Sequence, residues 1–282
     1  MRATLAAFAL FVVAGAIACA PTPTDDARSP ANALSTAGGS KKYALLMGGG
    51  VKGYDEPVDY FTADLNNGYA FFSSHGYETT ILYGDAGHEV PAHADGLARM
   101  EALYGRRPDS FTTTSYRNAL QHLVEVAGEG DEIVVLVTDH GWPNDDNGWP
   151  KETDVVNMLV ALGAPQGERL DFDTFKPYRD ALEAKGARIA LFFFTCDSAW
   201  STALATENTC VTTEAGYDKG DGYFPEAMWK TIRTGMKLEE SYDAAVAAQK
   251  RKTLVLPDDI FDDPRISSRM GHPSAPCGDF KL

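Results

Sequence analysis

The chain has 282 residues, of which 44% are hydrophobic and 23% charged, a composition typical of a globular protein with a substantial core. Its formal net charge at pH 7 is -15, carried by aspartate and glutamate residues that are spread along the sequence. Because such a surface repels phosphate groups, nucleic acids and anionic lipid headgroups are excluded as expected partners.

The N-terminal residues have the pattern of an export signal. Arg2 precedes an apolar run from Leu5 to Ile17, and small residues lead from this run to Cys19. The run is shorter than the roughly 20 apolar residues of a transmembrane helix. We interpret residues 1–19 as a signal peptide, and small residues before a cysteine resemble a bacterial lipoprotein signal. The protein is therefore expected to be exported, either as a cell-envelope lipoprotein attached to the membrane through lipid on Cys19 or as a secreted protein cleaved beside that cysteine.

The remaining chain divides into three parts. Residues 20–41 are rich in Pro, Thr, Ser, Ala and Gly and have no apolar period, which is typical of a flexible linker. Residues 42–253 are expected to form one folded domain. Residues 254–282 are rich in Pro and Asp and are expected to form an irregular tail on the surface of this domain.

The domain begins with a strand, a helix and a second strand. The first predicted strand, Lys42 to Met47, ends in three glycines, which indicate a tight turn because no phosphate-loop motif follows them. Apolar residues at helical spacing predict an amphipathic helix over 60–75, and Thr79 to Tyr83 is the second predicted strand. His88 and His93 follow in a polar loop. With no third ligand beside them they are interpreted as surface histidines, and no metal site is predicted.

Strands and helices continue to alternate in the rest of the domain. Ser115 is the expected N-cap of the next helix. The predicted helices cover 115–127, 172–185, 223–234 and 238–251, and the predicted strands cover 132–138, 189–194 and 209–213. This alternation predicts an α/β fold of three layers, with helices on both faces of a mostly parallel central sheet.

Two of these strands end in residues suited to nucleophilic catalysis. The apolar run 132–138 leads to His140 and Gly141, and the apolar run 189–194 leads to Cys196. The carboxyl ends of parallel strands meet at one edge of a sheet, where α/β proteins bind their ligands. An imidazole beside a cysteine lowers the pKa of the thiol and so produces the nucleophilic thiolate. We therefore predict a catalytic dyad of His140 and Cys196, with an oxyanion hole made by the N–H groups of Gly141 and Cys196.

The four cysteines have distinct expected roles. Cys19 is the candidate lipidation site and Cys196 the candidate nucleophile, which leaves Cys210 and Cys277 as a candidate disulfide in an exported protein. None of the four stands in a C-x-x-C pair, so the cysteines do not predict a zinc site.

The order of these motifs resembles that of the clan CD cysteine peptidases, the group that includes caspases, metacaspases and legumains, and most of all the legumain-like family. The resemblance covers roughly residues 42–250 and is carried by the first strand, Ala63-Asp64, Asp139-His140-Gly141-Trp142, Cys196-Asp197-Ser198 and the strand 209–213. It implies a three-layer caspase/legumain-like fold and hydrolysis of peptide bonds through an acyl-enzyme. It also implies Cys196 as nucleophile, His140 as general acid and base, a peptide or protein as the partner, and no metal or organic cofactor.

The chain departs from the legumain-like pattern at the pocket for the P1 side chain. Tyr60 and Phe61 stand where that family has Arg and His, and Phe194 stands where it has Glu, two residues before the cysteine. Glycines replace the Asn that follows the first strand in the family. These differences predict a P1 pocket lined by Tyr60, Phe61 and Phe194 that accepts an apolar or aromatic residue rather than the Asn of legumains.

The main interpretation is an exported cysteine endopeptidase. A transpeptidase is a variant of it, in which an amine replaces water at the acyl-enzyme. The alternative is a protein that keeps the fold and binds its partner with weak or no catalysis. The altered pocket favours this alternative, whereas the presence of both His140 and Cys196 opposes it.

Overall fold

The computed structural model of the chain describes residues 39–48, 60–84, 94–139, 141–143, 158–161, 169–196, 198–214, 224–253, 264–269 and 275–282. These residues belong to one compact unit, Gly39–Leu282. Within them, no helix has the length and apolar character needed to cross a membrane.

The described residues contain nine strands, which form two sheets. In chain order they are β1 (Lys42–Gly48), β2 (Glu78–Tyr83), β3 (Glu132–Thr138), β4 (Gly141–Pro143), β5 (Met158–Ala161), β6 (Arg169–Asp171), β7 (Arg188–Phe194), β8 (Thr209–Thr213) and β9 (Arg265–Ile266). The larger sheet has the order β2-β1-β3-β7-β8-β9, and its neighbouring strands are parallel except for β9, which runs antiparallel to β8. Strands β1, β3, β7 and β8 are almost wholly buried, which is why their sequences are continuous runs rather than alternating patterns.

Helices cover both faces of this sheet. In chain order they are α1 (Tyr60–Ser74), α2 (Ala94–Tyr104), α3 (Thr113–Val126), α4 (Phe172–Ala184), α5 (Phe224–Thr231), α6 (Leu238–Thr253) and α7 (Ala275–Asp279). Alternate residues of each strand point to opposite faces, so Leu45 belongs to the core cluster that includes residues of α3 and α4, while Leu46 belongs to the one that includes residues of α1, α2, α5 and α6. The predicted α/β fold of three layers with a mostly parallel central sheet is thereby confirmed.

The predicted limits of the long buried strands agree with the structure. Strands β3 and β8 match the predicted residues, and β1, β2 and β7 are each one residue longer. Apolar runs of this length are bounded by polar residues on both sides, so the sequence marks their ends clearly.

Helix α3 begins two residues earlier than predicted, because Thr112 rather than Ser115 is its N-cap. The Thr112 side chain accepts a hydrogen bond from the Ser115 N–H at 3.1 Å. Ser115 Oγ accepts one from the Thr112 N–H at 2.9 Å. In this capping box both hydroxyl residues satisfy backbone donors of the first turn, and only the backbone geometry decides which of them is the cap.

Two features were not predicted. Helix α2 follows β2 where the sequence analysis placed only a polar loop, and His88 and His93 of that loop lie outside the described residues. The antiparallel sheet β4-β5-β6 is built from strands of three and four residues. Such short strands contain too few residues to show a periodic pattern.

The C-terminal segment is part of the core, which corrects the expectation of an irregular surface tail. Its described residues form β9, the 3-10 turn Ser267–Arg269 and α7, and the side chains of Phe280 and Leu282 are buried. Cys277 of α7 forms a disulfide with Cys210 of β8, the pair that the cysteine count had indicated. Elements this short carry no recognisable period, because their apolar residues find partners only in the folded domain.

Candidate active site

Strands β3 and β7 lie side by side, and each leads to one residue of the predicted dyad. In their parallel register Thr138 pairs with Phe194. His140 follows Thr138 by two residues, and Cys196 follows Phe194 by two residues. The two positions therefore have the same offset from the last paired residues, at the carboxyl edge of the sheet.

The contact between these strands continues one residue past their last pair. The Asp139 N–H donates a hydrogen bond to the carbonyl oxygen of Phe194, with a donor–acceptor distance of 3.3 Å. This bond holds the backbone just before His140 against the backbone that leads to Cys196. His140 itself lies outside the described residues, so its pairing with Cys196 stays a prediction.

Cys196 carries a thiol and is half-buried, whereas the other two described cysteines are joined in the disulfide. The hydroxyl of Thr195 donates to the carbonyl oxygen of Cys196 at 3.2 Å. Reactive cysteines are partly exposed, because a reagent or substrate must reach the sulfur. The exposure of Cys196 meets this condition.

The chain that returns from Cys196 to β8 is anchored to α4. It forms a 3-10 turn, Ser198–Leu204. The buried guanidinium of Arg179 donates to the carbonyl oxygen of Leu204 at 2.7 Å. The Glu183 carboxylate accepts hydrogen bonds from the hydroxyls of Thr206 and Thr209, which follow this turn. Helix α4 thus fixes the segment that comes after the candidate nucleophile.

Gly48 ends β1 in close contact with β3. It pairs with Thr138 in the parallel register, and a Cβ atom at position 48 would lie 1.9 Å from the Thr138 carbonyl oxygen. Real Cβ atoms do not approach another atom so closely, so the strands can pack this way only with glycine at the position. The tight turn predicted for these glycines stays a prediction, because Gly49 and Gly50 lie outside the described residues.

A buried carboxylate of α1 contacts the end of β3, and the only prediction for this residue was its place in the family motif Ala63-Asp64. Asp64 Oδ2 accepts a hydrogen bond from Thr138 Oγ1 at 3.1 Å, and Asp64 Oδ1 accepts one from Trp229 Nε1 at 2.9 Å. These partners are 74 and 165 residues away in the sequence, so no local pattern reveals the contact. The available signal was an acidic residue among the apolar residues of a predicted helix.

Phe194 is a core residue rather than the wall of a substrate pocket, which corrects the prediction for this position. Its side chain is 1% exposed. Its ring forms edge contacts with Phe224 and Trp229, each at a centroid distance of 6.1 Å, on the face of the sheet covered by α1 and α5. Phe61 is 8% exposed, and the side chain of Tyr60 lies outside the described residues.

The remaining predicted site residues are only partly described. Gly141 begins β4 and pairs with Val160 of β5, so the small antiparallel sheet starts directly after His140. The oxyanion hole of the Gly141 and Cys196 N–H groups stays a prediction. Cys19 lies outside the described residues. Within those residues, no cluster of three or more His, Cys, Asp or Glu side chains is arranged to hold a metal ion.

A buried ionic cluster lies at the opposite edge of the sheet from Cys196. Glu132, the first residue of β3, forms ion pairs with Arg188 and with Lys42, whose Nζ is 3.1 Å from the carboxylate. The Tyr77 hydroxyl donates to the same carboxylate at 3.4 Å. Burial first, and then the negative charge of Glu132, raise the pKa of Tyr77 above its ordinary value. This cluster links the amino ends of the strands and is separate from the predicted dyad.

Comparison with known proteins bears on the fold. No protein-family model and no curated protein matches the sequence. Among solved structures, protein GSU0716 from Geobacter sulfurreducens is similar, with a TM-score of 0.50 and 15% identity over 80% of this chain and 92% of that chain. Caspase-1 from Spodoptera frugiperda is similar with a TM-score of 0.50 and 10% identity, over 80% of this chain and 86% of that chain. Likeness at such low identity establishes architecture, and the chain has a caspase-like fold.

Proposed function

We propose that the protein is a cysteine peptidase in which Cys196 is the nucleophile and His140 the general acid and base. The observation that carries this proposal is the pairing of Thr138 with Phe194, because His140 and Cys196 follow these two residues by the same number of positions in the sequence. The half-buried thiol of Cys196 and the caspase-like fold support it. Fold alone does not assign a reaction, so the proposal rests on these two residues.

The proposed reaction proceeds in two steps. The Cys196 thiolate attacks the carbonyl carbon of the scissile peptide bond, and the protonated imidazole of His140 gives its proton to the leaving amine. Neutral His140 then takes a proton from water as the water attacks the thioester, and collapse of the intermediate releases the acid product and the Cys196 thiolate beside the protonated His140. The N–H groups of Gly141 and Cys196 are proposed to stabilise the oxyanion of both tetrahedral intermediates.

The proposal places the protein nearest to the legumain-like enzymes by the order of its motifs, but with a different P1 preference. In legumains a Glu two residues before the cysteine belongs to the P1 pocket. Here that position is Phe194, whose ring is directed into the core. No carboxylate from this position can meet a polar P1 side chain, so we propose a substrate peptide with an apolar or aromatic P1 residue, bordered by Tyr60 and Phe61.

Export of the enzyme is part of the proposal. The signal-like residues 1–19 point to it, and the disulfide between Cys210 and Cys277 is a bond that forms and persists in oxidising compartments. We propose that the mature protein is attached to the cell envelope through lipid on Cys19, with plain secretion as the other outcome.

Covalent labelling tests the nucleophile and its partner. We expect an acyloxymethyl ketone with an apolar P1 residue to label the folded, non-reduced protein once, with the adduct on Cys196 in a peptide map. The variant His140→Ala is expected to lose this labelling, because its thiol is no longer activated. Cys196→Ala is the control for labelling elsewhere. A folded wild-type protein that neither reacts nor cleaves a broad peptide library would instead support the binding protein without catalysis.

A further inference from the structure

Four residues beneath the ends of β3 and β7 form a closed ring of contacts, which we call the Asp64 ring: Asp64, Thr138, Phe194 and Trp229. The Thr138 hydroxyl and the Trp229 indole N–H donate to the two oxygens of Asp64. The Trp229 ring packs on the Phe194 ring at 6.1 Å between centroids and 78° between planes. Phe194 in turn pairs with Thr138 in the sheet, which closes the ring.

Contacts on two further sides hold the end of β3 in addition to its pairing with β7. On one side, the Thr138 carbonyl oxygen faces Gly48, where even a Cβ atom would lie 1.9 Å away. On another side, the Thr138 hydroxyl is held by the Asp64 carboxylate, which is 7% exposed. A shift of the end of β3 would therefore either break a buried hydrogen bond or bring two backbones into collision.

We propose that Asp64 is a positioning residue for the predicted dyad. Through the Thr138 hydroxyl it sets the end of β3, two residues before His140, and through Trp229 and the Phe194 ring it sets the end of β7, two residues before Cys196. The separation of the His140 imidazole and the Cys196 thiol then depends on the Asp64 carboxylate. This inference rests on the proposed function and adds Asp64 as a residue that acts on the site through Thr138 and Trp229.

The chain provides a matched control for this carboxylate. Asp131 stands just before β3, at the opposite edge of the sheet, and is also 7% exposed. Each of its oxygens likewise accepts one hydrogen bond, from the N–H groups of Lys41 at 2.7 Å and Gly128 at 2.8 Å. Loss of either carboxylate thus removes hydrogen bonds from both of its oxygens beside the same strand, but only Asp64 lies at the end that leads to His140.

The test measures the rate of Cys196 alkylation by iodoacetamide as a function of pH, because a thiolate paired with an imidazolium reacts well below the ordinary thiol pKa of about 8.5. In Asp64→Ala we expect the midpoint of this profile to rise by about one pH unit and the rate near pH 6 to fall about tenfold. In Asp131→Ala we expect the alkylation rate at each pH to stay within about twofold of the wild-type rate, because Asp131 is distant from Cys196. The unfolding temperature of this variant is expected to fall.

A second pair of variants keeps the inference testable if Asp64→Ala does not fold. Thr138→Val replaces the hydroxyl that donates to Asp64 with a methyl group. It is expected to raise the midpoint of the pH profile of Cys196 alkylation, as Asp64→Ala does. Its control is Thr231→Val in α5, which removes a hydroxyl that donates to the Ala227 carbonyl oxygen at 2.8 Å.

The outcomes separate the two proposals. If the wild-type profile depends on His140 but Asp64→Ala and Thr138→Val behave like their controls, Asp64 is a structural residue and the inference is overturned while the proposed function stands. If the wild-type thiol reacts as an ordinary one and His140→Ala changes nothing, the proposed function is overturned and the positioning role with it.

Discussion

The amide of Asp139 donates a hydrogen bond to the carbonyl oxygen of Phe194, one residue beyond the last pair of β3 and β7. This bond joins the two chain segments at the point where each leaves the sheet toward a residue of the predicted dyad. The sheet itself, rather than a flexible loop, therefore sets where these segments start.

The first prediction concerns substrate choice. A peptide library incubated with the enzyme is expected to be cleaved after apolar or aromatic residues, because Phe194 offers no polar group to the P1 pocket. Cleavage sites are read by mass spectrometry, with Cys196→Ala as the inactive control. Strict cleavage after Asn or Arg would contradict the proposed pocket.

The second prediction concerns the close approach of β1 and β3. Gly48→Ala is expected to lower the free energy of unfolding by about 3 kcal/mol or more, because its Cβ would lie 1.9 Å from the Thr138 carbonyl oxygen. Denaturant unfolding measures the change. Gly128→Ala is the control, since its Cβ would meet nothing closer than 3.8 Å, and it is expected to change stability by about 0.5 kcal/mol or less. Equal effects of the two substitutions would refute this account of Gly48.

The third prediction concerns the disulfide. Cys210 and Cys277 are 67 residues apart, so the bond restricts a long loop of the unfolded chain and is expected to contribute about 4 kcal/mol. Reduction should lower the denaturant midpoint of a Cys196→Ser protein, which has no third thiol in the folded domain to exchange with. The additional double substitution Cys210→Ala and Cys277→Ala should abolish the response to reductant. If reduction left the denaturant midpoint of the Cys196→Ser protein unchanged, this would show that the disulfide does not form in solution.

The fourth prediction concerns alkaline pH. The pKa of Tyr77 is raised in the folded protein, chiefly by burial and then by Glu132. Between the ordinary tyrosine pKa of about 10 and the higher folded value, the folded state keeps a proton that the unfolded state has lost. The free energy of unfolding should therefore fall as pH rises above about 10, by up to about 1.4 kcal/mol per pH unit from this group. The free energy of unfolding of Tyr77→Phe should fall less steeply over the same pH range. If the two proteins gave parallel curves of unfolding free energy against pH, Tyr77 would not contribute to the loss of stability.

The fifth prediction concerns the N-terminus. If Cys19 is lipidated, cells fed a labelled fatty acid should incorporate it into the protein, and the protein should fractionate with membranes. Cys19→Ser should abolish the labelling and release the protein. Release of unlabelled wild-type protein into the medium would instead identify it as secreted.

The residues of β1, β3, β7 and β8 were predictable because these strands are buried on both faces. A run such as 189–194 is apolar at every position, and its length and polar limits distinguish it from a helix. The offset of His140 and Cys196 from the strand ends follows from these limits once the strands are neighbours. Parallel topology then brings the two ends to one edge.

Other features depend on contacts that no local pattern records. The hydrogen bond between Asp64 and Thr138 joins residues 74 positions apart, and the Asp64 position alone indicates only a polar residue in a helix. The direction of Phe194 was misjudged for a related reason. Its position two residues before Cys196 predicted a place in the P1 pocket. The alternation of side chains along β7 instead puts its ring in the core with Trp229.

Strand β9 covers the outer side of β8, the last parallel strand of the central sheet. An open sheet edge is a template on which another chain can add a strand. On the outer side of β8, Thr212 and Thr213 pair with β9, and the Val211 N–H donates to the hydroxyl of Ser267 at 3.0 Å. Strand addition by a second copy would first have to displace this segment, which the disulfide at Cys277 ties to β8. The disulfide thus fastens the C-terminal segment covalently beside the strand whose outer side it covers.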